Sequence, residues 1–178
     1  MQNEIRKQIK SLRDSLSLIE VENASLIITN KVIEKIKNLN AKTFMVYKSF
    51  KNEVKMDKIT DFLLSNGKTV AYPITIGEDM IAGVPNSNEY KKSSLGVLEP
   101  IDYTIIETPD VVFVPLVACD KNKNRIGLGK GYYDRFLKCK GSLKIGICYD
   151  FQVVENIPKN PHDIPLDIII TEKQIIGD

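Results

Sequence analysis

Apolar residues open the chain with a helical period. Ile5, Ile9, Leu12 and Leu16 recur at intervals of four, three and four, which places them on one stripe of an amphipathic helix. Ser17 and Glu20 have the spacing of a capping box, so a second helix is predicted to start there. It turns Ile28, Val32, Ile33, Ile36 and Leu39 inward and ends within residues 38–42. The aromatic and β-branched run at 44–50 predicts a strand, residues 54–65 a helix stopped by Asn66-Gly67, and residues 69–75 another strand. From Ile76 to Asp110 no period is sustained, and Gly77, Gly83, Pro85, Gly96, Pro100 and Pro109 break the pattern. A functional lid and a series of short, irregular strands both fit that stretch. Residues 111–119 form a near-continuous apolar run, as expected of a strand covered on both faces. A turn at 120–124, a glycine-rich segment and a helix ending near Lys140-Gly141 come next, followed by buried-strand candidates at 143–150 and 167–171. This alternation predicts an α/β fold, a three-layer α/β/α sandwich with a mainly parallel sheet.

At 178 residues the chain is expected to be one domain over 1–178, and no internal repeat or low-complexity tract divides it. Hydrophobic residues make up 43% of it, enough for a core that needs neither metal nor disulfide. Lys and Arg number 25 against 23 Asp and Glu, and a formal +2 excludes binding of nucleic acid or an anionic membrane by bulk charge. Any bound anion must be held by a local cluster. The three cysteines show no C-x-x-C spacing, and Cys119 and Cys148 read as core. The amino end alternates charged and apolar residues, unlike a secretory signal, and the apolar run at 111–119 is far shorter than a bilayer requires. The expected location is the cytoplasm.

The chemistry concentrates in residues 125–135, Arg-Ile-Gly-Leu-Gly-Lys-Gly-Tyr-Tyr-Asp-Arg, between the long apolar strand and a helix, where open α/β sheets bind ligands. Gly127, Gly129 and Gly131 let backbone N–H groups approach an anion, and the helix start adds partial positive charge, so phosphate is the natural guest. Arg125 and Lys130 supply full charges, and Asp134 is an acceptor able to hold Mg²⁺ that also contacts phosphates. Tyr132 and Tyr133 can pack on a planar ligand or fill the core. The glycines alone could simply turn a strand into a helix; the flanking charges weigh against that. Neither G-x-x-x-x-G-K-[ST] nor G-x-G-x-x-G occurs, so neither Walker-type hydrolysis nor dinucleotide binding follows.

Asp120 through Leu137 resembles the signature of the 5-formyltetrahydrofolate cyclo-ligase family. Further family-like landmarks fall in order along nearly the whole chain: Ile5-Arg6-Lys7 with Ser17, Glu53, Gly67-Lys68 with Tyr72-Pro73, Leu98-Glu99-Pro100, and Asp163 with Asp167. The resemblance implies a fold similar to the NagB/RpiA/CoA-transferase-like families. It implies Mg²⁺ and ATP-dependent conversion of 5-formyltetrahydrofolate to 5,10-methenyltetrahydrofolate, with ADP and phosphate released. ATP would phosphorylate the formyl oxygen and N10 would close the ring, with no side-chain nucleophile. It further implies that ATP is bound by Arg6, Lys7, Arg125, Gly127, Gly129, Lys130, Gly131, Tyr132 and Tyr133. Folate would be bound by Glu53 and by Leu128, Gly129, Lys130, Gly131 and Tyr132. Lys130 and Arg125 would stabilise the transferring phosphoryl group, and Asp134 and Asp163 would hold Mg²⁺. The expected partners are ATP and 5-formyltetrahydrofolate, with or without a polyglutamate tail, in a monomer or weak dimer.

Several of these residues also admit plainer readings. Arg6, Lys10 and Arg13 follow an i, i+4, i+7 spacing that suits an ordinary solvated helix face, and only Arg6 is singled out by the family match. Asp163 could belong to a surface turn, Glu53 could be a helix N-terminal acid, and His162, the sole histidine, reads as a bystander. Gln2 stands where the family often has lysine, Lys55-Met56 where it often has Asp-Thr, and Leu116 where it often has glycine. Two other functions stay open. A sugar-phosphate isomerase-like enzyme would need a carboxylate base for which no motif is visible, and a non-catalytic nucleotide-binding regulator would bind ATP without turning over folate.

Overall fold

The computed structural model describes residues 1–138 and 140–177; Cys139 and Asp178 lie outside the described residues. Helix α1 spans Gln2–Asp14 and α2 Leu18–Ile36, followed by β1 (Thr43–Met45) and α3 (Asp57–Ser65). Next come β2 (Thr69–Ile76), β3 (Asp79–Pro85), β4 (Tyr90–Lys92), β5 (Leu98–Pro100), β6 (Tyr103–Ile106) and β7 (Val111–Pro115). A short ribbon of β8 (Ala118–Cys119) and β9 (Arg125–Ile126) precedes α4 (Tyr132–Leu137), and β10 (Leu143–Ile147), a 3-10 turn at Asp150–Gln152, β11 (Ile168–Ile170) and β12 (Ile175–Ile176) complete the chain.

The main sheet has eight strands in the order β12-β11-β10-β7-β1-β2-β3-β6. Its five inner strands, β11 through β2 in that order, run parallel, while β12, β3 and β6 extend it antiparallel. Strand alternation divides the apolar runs between two faces. Phe44, Val111, Phe113, Ile145, Ile147, Ile168 and Ile170 pack under Ile28, Val32 and Ile36 of α2 and Ile59 and Leu63 of α3. Met45, Val112, Val114 and Ile169 face the other way, toward Phe136 and Leu137 of α4 and Leu166 of a covering loop. The sheet is thus covered on both faces, with a single six-residue helix and loops on the second. The predicted capping box is present: Ser17 Oγ accepts from the Glu20 N–H (3.2 Å) and a Glu20 carboxylate oxygen accepts from the Ser17 N–H (2.8 Å).

Several predicted elements are shorter in the structure, because side chains claim the backbone groups at their ends. The strand expected over 44–50 pairs only at Thr43–Met45, and the helix expected from residue 54 starts at Asp57. The N–H of Lys55 donates to Ser25 Oγ and that of Met56 to Ser49 Oγ, which holds residues 54–56 out of the helix. The apolar run 111–119 is two strands, not one: after Pro115 the chain leaves the sheet, and the buried Gln152 amide donates to the Leu116 and Val117 carbonyls. The strand expected over 143–150 ends at Ile147, that over 167–171 spans 168–170, and the helix expected to reach Lys140-Gly141 ends at Leu137. The unpatterned stretch 76–110 holds β3 to β6, four antiparallel strands, with β4 and β5 forming a separate hairpin. On α1 the inward line is Ile5, Ile9 and Arg13, whereas Leu12 is 52% exposed.

The chain leaves β1 through α3 to β2 on one side, and its other neighbour in the sheet, β7, is reached only after the antiparallel excursion. The carboxyl ends of β1 and β7 therefore flank a topological switch point, the place where an open α/β sheet leaves a crevice for a ligand. Removing the α2 cap with Ser17→Ala is expected to cost about 1 kcal/mol and to lower the midpoint of thermal unfolding by about 2–4 °C, measured by circular dichroism.

Candidate active site

Two segments enter the crevice, residues 46–54 from β1 and residues 116–131 from β7. The second is shaped by Asp120, which is fully buried. One of its carboxylate oxygens accepts from the N–H groups of Asn122 and Asn124, and the other accepts from the Asn124 side chain and from the Ile157 N–H. Four donors on one carboxylate fix the turn and so aim the strand that carries Arg125.

Arg125 is buried, and its Nη2 lies 2.8 Å from an Asp134 oxygen, the pair closing the glycine loop across its base. The same Asp134 oxygen accepts from the Ile164 N–H at 3.0 Å, which brings the neighbouring Asp163 beside the pair. Burial draws the Arg125 pKa down, while Asp134, Tyr133 and Asp163 hold it up, and an arginine keeps its proton in such surroundings. Its Nε is buried and has no hydrogen-bond partner among the described residues. A buried donor left unmet costs about 1–3 kcal/mol, a cost that an acceptor brought by a ligand would remove.

Within the loop, Gly129 (φ +93°) and Gly131 (φ +71°) occupy left-handed conformations that L side chains rarely adopt. A Cβ on Gly131 would lie 2.7 Å from the Arg135 guanidinium, which itself donates to the Lys130 and Glu78 carbonyls. Arg6 reaches over from α1: its Nε donates to the Gly127 carbonyl at 2.8 Å, and it lies near Gly129. Leu128, Gly129 and Lys130 are exposed at the tip. Tyr132 donates to the Gly77 carbonyl at 3.1 Å, tying α4 to the β2–β3 turn, whereas Tyr133 faces the Arg125 guanidinium with its ring 6.0 Å away. Lys7 is exposed on α1. His162 is exposed. Gln2 donates to the Pro158 carbonyl and anchors the start of α1.

The far side of the crevice is formed by Glu53, in a turn and not at a helix start: its carboxylate accepts from the Phe50 N–H at 2.9 Å, four residues before α3 begins. Burial raises its pKa, partly opposed by that hydrogen bond and by Arg13 and Lys55. Arg13 is no solvated residue; it is 6% exposed, and its Nη1 lies 4.0 Å from Glu53 Oε1. Tyr47, buried beside Glu53, has its pKa pushed well up by burial and then by that carboxylate, and the same two causes raise Tyr133. A narrow cleft of about 10 Å³, room for about one water molecule, lies between the two segments and is lined by Arg13, Tyr47, Glu53, Leu116 and Gln152. Arg13 and Tyr47 line this cleft without having been singled out by any motif. The signal for Arg13 was its place at 5, 9, 13, a charge on the apolar stripe of a helix.

Among the described residues no group of three or more His, Cys, Asp and Glu side chains is arranged to hold a metal ion on its own. Mg²⁺ bound with a nucleotide needs only one or two carboxylates, the phosphates and water doing the rest. Asp134, with its second oxygen outside the Arg125 pair, and Asp163, held by the Asn160 N–H at 2.7 Å, fit that requirement.

Residues 1–172 match the model of the 5-formyltetrahydrofolate cyclo-ligase family. The 5-formyltetrahydrofolate cyclo-ligase of Mycoplasma genitalium is 34% identical over 94% of this chain and 96% of its own length. That of Haemophilus influenzae is 30% identical over 94% and 96%. The solved structure of 5,10-methenyltetrahydrofolate synthetase from Aquifex aeolicus superposes with a TM-score of 0.87 at 30% identity, covering 99% of this chain and 92% of that one.

The Arg125–Asp134 pair has side-chain exposures of 5% and 25%. Asp134→Ala, which strands the buried guanidinium, is expected to cost about 3 kcal/mol, read by urea unfolding. Replacing both partners, Arg125→Met with Asp134→Leu, is expected to recover most of that loss.

Proposed function

The chain belongs to the 5-formyltetrahydrofolate cyclo-ligase family, and we propose that it closes the ring of 5-formyltetrahydrofolate to 5,10-methenyltetrahydrofolate at the expense of ATP. The observation that carries the ATP half of this reading is Arg125, buried against Asp134 with an unmet Nε beneath three glycines. A triphosphate tail supplies the missing acceptor and takes N–H groups from the loop, while Arg6 and Lys130 neutralise its outer charge. The folate half rests on Glu53 across the cleft, an acceptor-only group suited to the amino and ring N–H groups of a pterin.

With the two substrates on opposite walls, the formyl oxygen takes the γ-phosphoryl group and ADP departs. N10 then attacks the formyl carbon, the C–O bond breaks with release of phosphate, and N10 loses its proton. The protein's work is alignment and charge neutralisation: Arg125 is held rigidly, and Lys130 at the exposed loop tip is a mobile cation that can follow the group in transfer. Asp134 and Asp163 would hold Mg²⁺, whose charge offsets that of the phosphates when bound. No helix among the described residues is long and apolar enough to cross a membrane, and we assign the protein to the cytoplasm, where folate and ATP meet.

Purified protein with 5-formyltetrahydrofolate, ATP and Mg²⁺ is expected to generate the near-ultraviolet absorbance of the methenyl product; nucleotide binding without that signal would select the regulator reading instead. Lys130→Ala is expected to lower kcat by about 100-fold, with the folate KM changed by less than about threefold. An effect confined to KM would remove Lys130 from the transfer step. Asp163→Asn is expected to raise the Mg²⁺ concentration for half-maximal rate by about tenfold, and an unchanged titration would leave Asp163 a turn residue.

A further inference from the structure

We infer that Arg13 is a positioning residue for folate: it keeps the Glu53 carboxylate anionic and turned into the cleft, and thereby sets the lowest pH at which folate binds. The inference rests on Glu53 being the folate acceptor. It begins from the helix. On α1 the positions that turn inward are 5, 9 and 13, and the third is an arginine 6% exposed. The turn bearing Glu53 is fastened to the same helix end, because the Asn52 side chain donates to the carbonyls of Arg13 (2.9 Å) and Leu16 (3.0 Å). The two charged groups are therefore placed together by backbone anchoring and not by their own attraction.

Their hydrogen bonding is incomplete. Glu53 Oε2 is occupied by the Phe50 N–H, but Oε1 sees Arg13 Nη1 only at 4.0 Å, beyond hydrogen-bond length. Arg13 Nε is buried without a hydrogen-bond partner among the described residues. An ion pair serving stability alone would close that gap; here one acceptor and one donor are left over at the cleft. Around Glu53 stand Tyr47 beyond β1, Tyr133 on α4 and Tyr149 beyond β10, hydroxyls that burial keeps neutral, and two cations, Arg13 and Lys55. The Lys55 ammonium is drawn off to the Lys51 carbonyl at 2.9 Å. Burial favours the protonated carboxyl, so removing Arg13 lets Glu53 take up its proton at a higher pH.

The test measures kcat/KM for 5-formyltetrahydrofolate against pH, with the ATP KM in parallel, for Arg13→Gln, Arg13→Lys, Glu53→Gln and the double variant Arg13→Gln/Glu53→Gln. Arg13→Gln is expected to move the acid limb upward by about one unit and, at pH values below that limb, to raise the folate KM by up to about tenfold, leaving the ATP KM within about twofold. Arg13→Lys, which retains the charge, should hold the limb near its original place. In the Glu53→Gln background, Arg13→Gln should change the folate KM by less than about twofold, because its effect runs through the carboxylate. An unmoved limb, or an equal effect of Arg13→Gln with and without Glu53, overturns the inference. A Glu53→Gln protein with normal folate KM overturns the reading of Glu53 instead. If Arg13→Gln does not fold, Arg13→Met, which keeps the aliphatic stem, takes its place. Should neither fold, a folded Arg13→Met/Glu53→Gln double supports mutual compensation, and a double that also fails to fold overturns it.

Discussion

A guanidinium that cannot lose its proton has been placed in the protein interior, and the carboxylate that meets it lies on the far side of a glycine loop. The Arg125–Asp134 contact at 2.8 Å is the constraint on which the site depends. It joins β9 to α4, so the loop between them is closed at its base while its tip stays exposed. The loop can be rich in glycine, and therefore free to bring backbone N–H groups to a ligand, because its ends are not free to move. The same Asp134 oxygen also receives the Ile164 N–H, which adds the loop leading into β11 to the arrangement and brings Asp163 near. One buried charge pair thus fixes the loop, the start of α4 and the proposed metal side.

That pair could not sit where it does without the topology of the sheet. The switch between β1 and β7 separates two chain segments that would otherwise run side by side, and α1 touches both of them. The helix contributes at both ends: Arg6 to the loop after β7, Arg13 to the turn after β1. Its amphipathic character therefore serves the site as much as the core, since Ile5 and Ile9 pack on Val117, Ala118 and Ile126 while Arg6, between them in sequence, and Arg13, one turn further on, reach the two walls.

Much of this was legible in the order of residues. The parallel core was evident because Val111–Val114 and Ile168–Ile170 are apolar at every position, a pattern that only a strand covered on both sides can satisfy. The capping box was legible because its chemistry is local. The glycine loop and its flanking charges were legible because their function demands residue types that are otherwise improbable together. Strands β3 to β6 were not, since antiparallel edge strands with one solvated face carry prolines and glycines that erase the alternation. The start of α3 and the end of β7 were not either, being set by the side chains of Ser25, Ser49 and Gln152. Arg13 was hidden for a different reason: a charged residue at helical spacing looks like surface until a carboxylate from forty residues away is seen to cover it.

The reach of α1 across the molecule has a bearing on how the protein comes into being. Its anchors are Pro158 for Gln2 and Gly127 for Arg6, residues that leave the ribosome long after the helix does. Chains grow from the amino end at about 5–20 residues per second, so the nascent helix waits several seconds with Ile5 and Ile9 uncovered before the surface that receives it exists. The ligand crevice is consequently among the last parts of the molecule to be completed during translation.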